Sequence, residues 1–138
     1  MAGRFYVDTS AYLAILLGEA GSASLVRELA GGQLVTSSLL ALETHRNLVR
    51  LSREQILTVT ELQAALTRLE SDLTQFVVRD LTLDLCQARV MPVVSTPRTL
   101  ELAHLTTAVW FHQREPLARF VSLDARQTLA ARELSLPV

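Results

Sequence analysis

Phe5-Tyr6-Val7-Asp8-Thr9-Ser10 near the start of the chain and Phe120-Val121-Ser122-Leu123-Asp124 near its end decide the fold. Each is a short apolar run, of strand length, that stops on a carboxylate and is followed by apolar residues at helical spacing. Working outward from the first, Thr9 or Ser10 caps a helix carrying Tyr12, Leu13, Leu16 and Leu17, and Gly18 closes it. A helix over 22–30 follows, stopped by Gly31-Gly32, and then a strand over 34–36. Ser37 or Ser38 caps a helix to about 51. Ser52 opens another at 53–54 that runs through Leu69 and Leu73. A strand over 76–78, a helix over 83–90 ending before Pro92, and a helix opened by Thr96-Pro97 and running to about 113 come next. Pro116 breaks the chain before the strand over 120–124. A helix over 126–133 and an edge strand over 136–138 complete it. Short apolar strands alternating with helices predict an α/β fold, with a mainly parallel sheet covered by helices on both faces. In such sheets ligands bind beyond the carboxyl ends of the strands, which directs attention to Asp8 and Asp124.

The bulk properties fit one domain over 1–138, since a 138-residue chain is long enough to bury a core. With 49% of residues hydrophobic, disorder is excluded. The apolar segment over 5–17 carries Asp8 in its middle and no cleavage pattern, so neither a signal peptide nor a membrane span is expected. A lone cysteine, Cys86, excludes an internal disulfide and a cysteine zinc cage, and it reads as a buried, reduced thiol. The cytoplasm is the natural compartment. The net charge of −1 argues against indiscriminate nucleic-acid binding. Every basic residue is an arginine, however, and arginine suits phosphate recognition where a bidentate fork is needed.

Two carboxylates at the same edge of a sheet repel unless a proton or a hard cation lies between them. The plainer role for each aspartate is an N-cap. Glu43 lies one turn into a helix among Leu39, Leu40, Ala41 and Leu42. Glu101 opens a helix that is apolar nearly all round, where a carboxylate must be paired, metal-bound or favoured by the helix N-terminus. These oxygen donors suit Mg²⁺ or Mn²⁺ better than zinc.

The ordered set Tyr6-Val7-Asp8-Thr9-Ser10-Ala11, Ala41-Leu42-Glu43, Thr99-Leu100-Glu101-Leu102-Ala103-His104-Leu105 and Phe120-Val121-Ser122-Leu123-Asp124-Ala125-Arg126 resembles the successive motifs of PIN-domain proteins, specifically the VapC toxins of toxin–antitoxin modules. The resemblance implies a five-stranded parallel α/β/α sandwich and Mg²⁺- or Mn²⁺-dependent endoribonuclease activity. It implies an acidic site formed by Asp8, Glu43, Glu101 and Asp124, supported by the hydroxyls of Ser10 and Ser122. It implies homodimers and silencing by a VapB-like antitoxin. The third acidic position is usually aspartate in the family and is Glu101 here. The added methylene matters because Mg²⁺ demands near-octahedral geometry. A catalytically weak or inactive PIN-like module that binds RNA or protein is therefore the alternative.

Other readings weigh less. A haloacid-dehalogenase-like phosphatase needs a second aspartate where Ser10 stands, and a receiver domain needs a lysine that this chain lacks. His104, three residues after Glu101, is a hydrogen-bonded core histidine or a general base. His45 and His112 read as exposed. Arg46, Arg50 and Arg53 read as a solvated helix face, or as the side of an RNA path. Trp110 and Phe111 read as core or as a partner surface. The amphipathic stretch over 62–73 either covers the sheet or receives a partner helix.

Overall fold

The computed structural model describes residues 3–95 and 98–138. Four parallel strands, β1 (Arg4–Val7), β2 (Gln33–Ser37), β3 (Val77–Arg79) and β4 (Arg119–Val121), lie in the order β3-β2-β1-β4. Tyr6 faces Val35 of β2 on one side and Phe120 of β4 on the other. The helices are α1 (Thr9–Leu17), α2 (Ser22–Leu29), α3 (Leu39–Arg53), α4 (Val59–Leu73), α5 (Thr99–Arg114) and α6 (Ala125–Glu133).

Alternation along β1 builds both layers of core. Phe5 and Val7 face α1, α2, α3 and α4, joining Leu25, Leu40, Leu48 and Leu69. Tyr6 faces the other way, joining Leu105, Ala108 and Phe111 of α5 and Ala130 and Ala131 of α6. The stretch over 62–73 thus covers the first face: Leu62, Ala65, Leu66 and Leu73 pack against that core. Gly32 permits the close approach of β2's leading turn to β1. A Cβ there would fall 2.7 Å from the Phe5 ring and 2.9 Å from the Gly3 carbonyl.

Several boundaries differ from expectation, each for a local reason. Asp8, not Thr9 or Ser10, caps α1, because its carboxylate reaches the Ala11 N–H. The helix expected from 53–54 begins only at Val59. Helix α3 runs on to Arg53, and Thr58 with Glu61 forms a reciprocal capping box that fixes the true start of α4. The helix expected over 83–90 is a single 3₁₀ turn, Leu83–Cys86. Its outward side chains find no core: Leu83 is 77% exposed, and Cys86 is exposed rather than buried. The Thr96-Pro97 cap lies outside the described residues, and the helix it was to open begins at Thr99. The expected fifth strand over 136–138 is absent, so the described sheet has four strands. Phe120 donates one backbone hydrogen bond to Pro137, but proline has no N–H to extend a ladder.

Trp110 is half-buried, Phe111 is buried, and His112 is half-buried with its Nδ1 accepting the Leu117 N–H. Among the described residues no single helix is long and apolar enough to cross a membrane.

Candidate active site

Because all four strands are parallel, their carboxyl ends share one rim. Chain order places Asp8 directly after β1, the Ser122–Asp124 turn after β4 and the start of α3 after β2. The two aspartates therefore share an edge, as expected.

Asp8 is 5% exposed. Its Oδ1 accepts the Ser10 hydroxyl at 2.7 Å and the Ala11 N–H at 3.1 Å. Burial pushes its carboxyl above the ordinary range. Hydrogen bonds from Ser122, Ser10 and Ala11 oppose that rise without cancelling it. Among the described residues no arginine pairs with Asp8. Ser10 also lies 3.3 Å from the Ser122 hydroxyl and accepts the Leu123 N–H at 3.0 Å, while Ser122 accepts the Asp124 N–H at 3.1 Å. Two serine hydroxyls therefore bind the Asp8 pocket to the turn presenting Asp124. Asp124 caps α6 through Oδ1, accepting the Arg126 and Gln127 N–H groups.

Glu43 enters by another route. Its Oε1 accepts the Thr9 hydroxyl at 2.9 Å and lies 2.7 Å from His104 Nε2, while His104 Nδ1 lies 2.7 Å from the Tyr6 hydroxyl. An ionised carboxylate only accepts, so Nε2 carries the proton, and Nδ1 is then free to accept from Tyr6. Burial works against the charge of Glu43, but the hydrogen bond from His104, with that of the Thr9 hydroxyl, outweighs it and holds the carboxyl below its ordinary range. Burial, and then the charge of Asp8, raise the Tyr6 hydroxyl well above its usual value, so it acts as a hydrogen-bond donor. His104 was legible as a core histidine. Thr9 and Tyr6 were missed as site residues, Thr9 because it read only as a cap.

Glu101 stands apart. It is half-exposed, and its Oε2 accepts the Arg98 N–H at 3.0 Å, the ordinary task of a first-turn acid. Its link to the rest runs through Gln127, 1% exposed, whose side-chain amide donates to the Glu101 carbonyl at 2.9 Å while its own N–H reaches Asp124. No spacing in the sequence pointed to Gln127.

The structure thus joins Asp8, Ser10, Ser122 and Asp124 by hydrogen bonds. It brings Glu43 beside them through Thr9 and His104, and leaves the Glu101 carboxylate on its own cap. Among the described residues no group of three or more histidine, cysteine, aspartate or glutamate side chains is placed to hold a metal ion. The donors themselves fit a hard divalent cation: they are oxygens, and among the described residues no arginine neutralises the buried carboxyl of Asp8.

Residues 5–99 match the PIN domain family model, and the chain belongs to that family. The matched segment contains Asp8 and Glu43 and stops short of Glu101 and Asp124. Among solved structures, the fold resembles the crystal structure of Mycobacterium tuberculosis VapC20, described as a sarcin-ricin loop cleaving toxin. The TM-score is 0.61, with 20% identity, covering 91% of this chain and 94% of that one. No curated protein matches the sequence.

Proposed function

We propose that this protein is a divalent-metal-dependent endoribonuclease of the VapC toxin type, residues 1–138 acting as one PIN unit in the cytoplasm. The observation that carries the reading is the buried Asp8 carboxylate at the carboxyl rim, tied through Ser10 and Ser122 to the turn presenting Asp124. Membership of the PIN family and the likeness to an RNA-cleaving toxin support it.

Asp8 and Asp124 would hold Mg²⁺ or Mn²⁺, with Glu43 and Glu101 completing the acidic site. Bound there, such an ion supplies a polarised phosphoryl oxygen and an acidified water. The remaining work belongs to the chain. Ser10 and Ser122 fix the Asp8 carboxylate and the Asp124 turn. His104 keeps Glu43 ionised and orients it, and the packing of Tyr6 against Phe120 keeps bulk water from beneath the site. The partners consistent with this reading are an RNA substrate, a VapB-like antitoxin and a second copy of the chain in a homodimer.

The test is RNA cleavage in Mg²⁺ or Mn²⁺ against EDTA, with Asp8→Asn as control. Cutting that needs the metal and is lost in the variant is the expected result. Metal-independent cutting, or full activity in Asp8→Asn, overturns the proposal.

One observation favours a second reading, a PIN-like binding module with little or no cleavage: Glu101 is spent on its helix cap and the acids do not converge. Glu101→Asp separates the two. Faster cutting in that variant supports a metal role for the position. RNA left intact under every metal condition, together with tight binding of RNA or protein, supports the module.

A further inference from the structure

Outside the carboxyl rim, the 3₁₀ turn and the segment after it pack beside α5 and leave a cleft of about 430 Å³. Its lining includes Asp84, Gln87, Arg89, Trp110, Gln113 and Arg114. The Arg114 guanidinium lies 3.8 Å from the centre of the Trp110 ring, and that of Arg79, at the end of β3, lies 4.7 Å from it. Arg79 is neutralised by Asp84, with 2.8 Å between them. Arg89 and Arg114 are not. Arg89 bonds only the neutral amide of Gln87 and Arg114 only the Trp110 carbonyl, and neither has a carboxylate partner among the described residues. Two uncompensated guanidiniums beside an indole, in a concave and mostly polar site, stand out on a protein whose net charge is −1.

The geometry points to this cleft as a second contact for single-stranded RNA, with Arg89 and Arg114 taking phosphates of the strand and the Trp110 ring, covered by the Arg114 and Arg79 guanidiniums, holding Arg114 in place. The inference rests on the nuclease reading and deepens it by placing substrate contacts away from the cutting site. Arginine forks match phosphate oxygens whatever the base attached. The cleft lines α5 from Thr106 to Arg114, whereas Glu101 opens the same helix. At about 1.5 Å per residue, the near edge of the cleft lies roughly 8 Å along the axis from Glu101 and the far edge roughly 20 Å. A strand crossing the rim reaches the cleft within a few nucleotides. Arg46, Arg50 and Arg53 are weaker candidates, since Arg50 is already paired with Glu54.

The experiment measures binding without cutting. A fluorescein-labelled, mixed-sequence single-stranded RNA is titrated with the whole protein in EDTA, and anisotropy is followed over a series of salt concentrations. Each phosphate contact contributes about 0.7 to the slope of log affinity against log salt for single strands. Replacing both arginines, Arg89→Gln with Arg114→Gln, is expected to lower affinity several-fold and flatten that slope by roughly 1.4. Both residues are exposed, so the fold should survive, and circular dichroism confirms that it has. An unchanged slope in the double variant overturns the cleft assignment and leaves the nuclease reading intact. No RNA binding by the unaltered protein in EDTA also overturns the cleft assignment, since the cleft needs no metal, while the cleavage assay decides the nuclease reading separately. Should sedimentation show that the double variant alters self-association while RNA binding holds, the cleft belongs to a protein interface and the assignment fails.

Discussion

Replacing Tyr6 by phenylalanine interrogates the innermost link of the chain Tyr6–His104–Glu43. The ring of Tyr6 is fully buried, stacks on Phe120 at 5.3 Å and keeps its shape in the variant, so no cavity is made. What disappears is one hydroxyl, and what remains is His104 Nδ1, an acceptor in a residue only 3% exposed, with no partner. Orphaning a buried polar atom costs about 1–3 kcal/mol. For a chain of this size each kcal/mol moves the melting midpoint by about 3–4 °C, so a fall of roughly 3–12 °C is expected. Urea unfolding should show a lower midpoint at unchanged slope, which marks lost stability rather than an altered unfolded state. A double-mutant cycle with His104→Leu isolates the pair, and a coupling of about 0.5–3 kcal/mol is expected for residues in direct contact. A Tyr6→Phe cost within about 0.5 kcal/mol, the range of an uninvolved surface position, refutes the reasoning. Additivity in the cycle refutes it as well.

Three further outcomes are expected. Asp8→Asn retains an oxygen for Ser10 and Ala11 but removes a charge whose burial raises its pKa; since the folded state holds that proton more tightly than the unfolded state, nothing is lost below the ordinary value of 3.8, and stability falls as the pH rises from there through the folded pKa. Melting in EDTA at neutral pH should therefore rise, by about 0.5–2 kcal/mol, with the gain fading in acid, and a lower melting temperature contradicts the argument. Glu43 behaves oppositely: its depressed pKa means stability present above its ordinary value of 4.5 and lost as the pH falls through its lower folded value, so urea midpoints of the native protein should drop there and Glu43→Gln should flatten that limb. Thr58→Ala removes the hydroxyl that accepts the Glu61 N–H at 3.1 Å and should cost about 1 kcal/mol in chemical denaturation, whereas no measurable change would show that the capping box does not hold the start of α4.

The alternation of Phe5, Tyr6 and Val7, and the aspartates closing two apolar runs, carried the parallel sheet and the shared edge. Strand period and chain order are local properties, written in neighbouring residues. What sequence left hidden depends on distance. Thr9 sits beside Asp8 in the chain, yet its hydroxyl serves Glu43, thirty-four positions on, and only the packing of α1 against α3 creates that contact. Gln127 resembles any surface glutamine in a helix until α6 docks on the first turn of α5. The stretch over 83–90 misled for the converse reason. Its residues tolerate a helix, but no surface of the fold offers Leu83 or Val90 a place to bury. The start of α4 is set by the Thr58–Glu61 capping box, whereas Ser52 lies inside the unbroken α3.

Strand β1 has β4 as its neighbour in the sheet although the two lie far apart in the chain: the bond joining Ser10 to Ser122 spans 112 positions. A growing chain still on the ribosome holds Asp8 without the turn that carries Asp124. Native pairings of such long reach form slowly and only after the intervening chain exists. The acidic rim therefore cannot form on a partly folded chain: Asp8 meets the turn of Asp124 only once β4 has closed against β1.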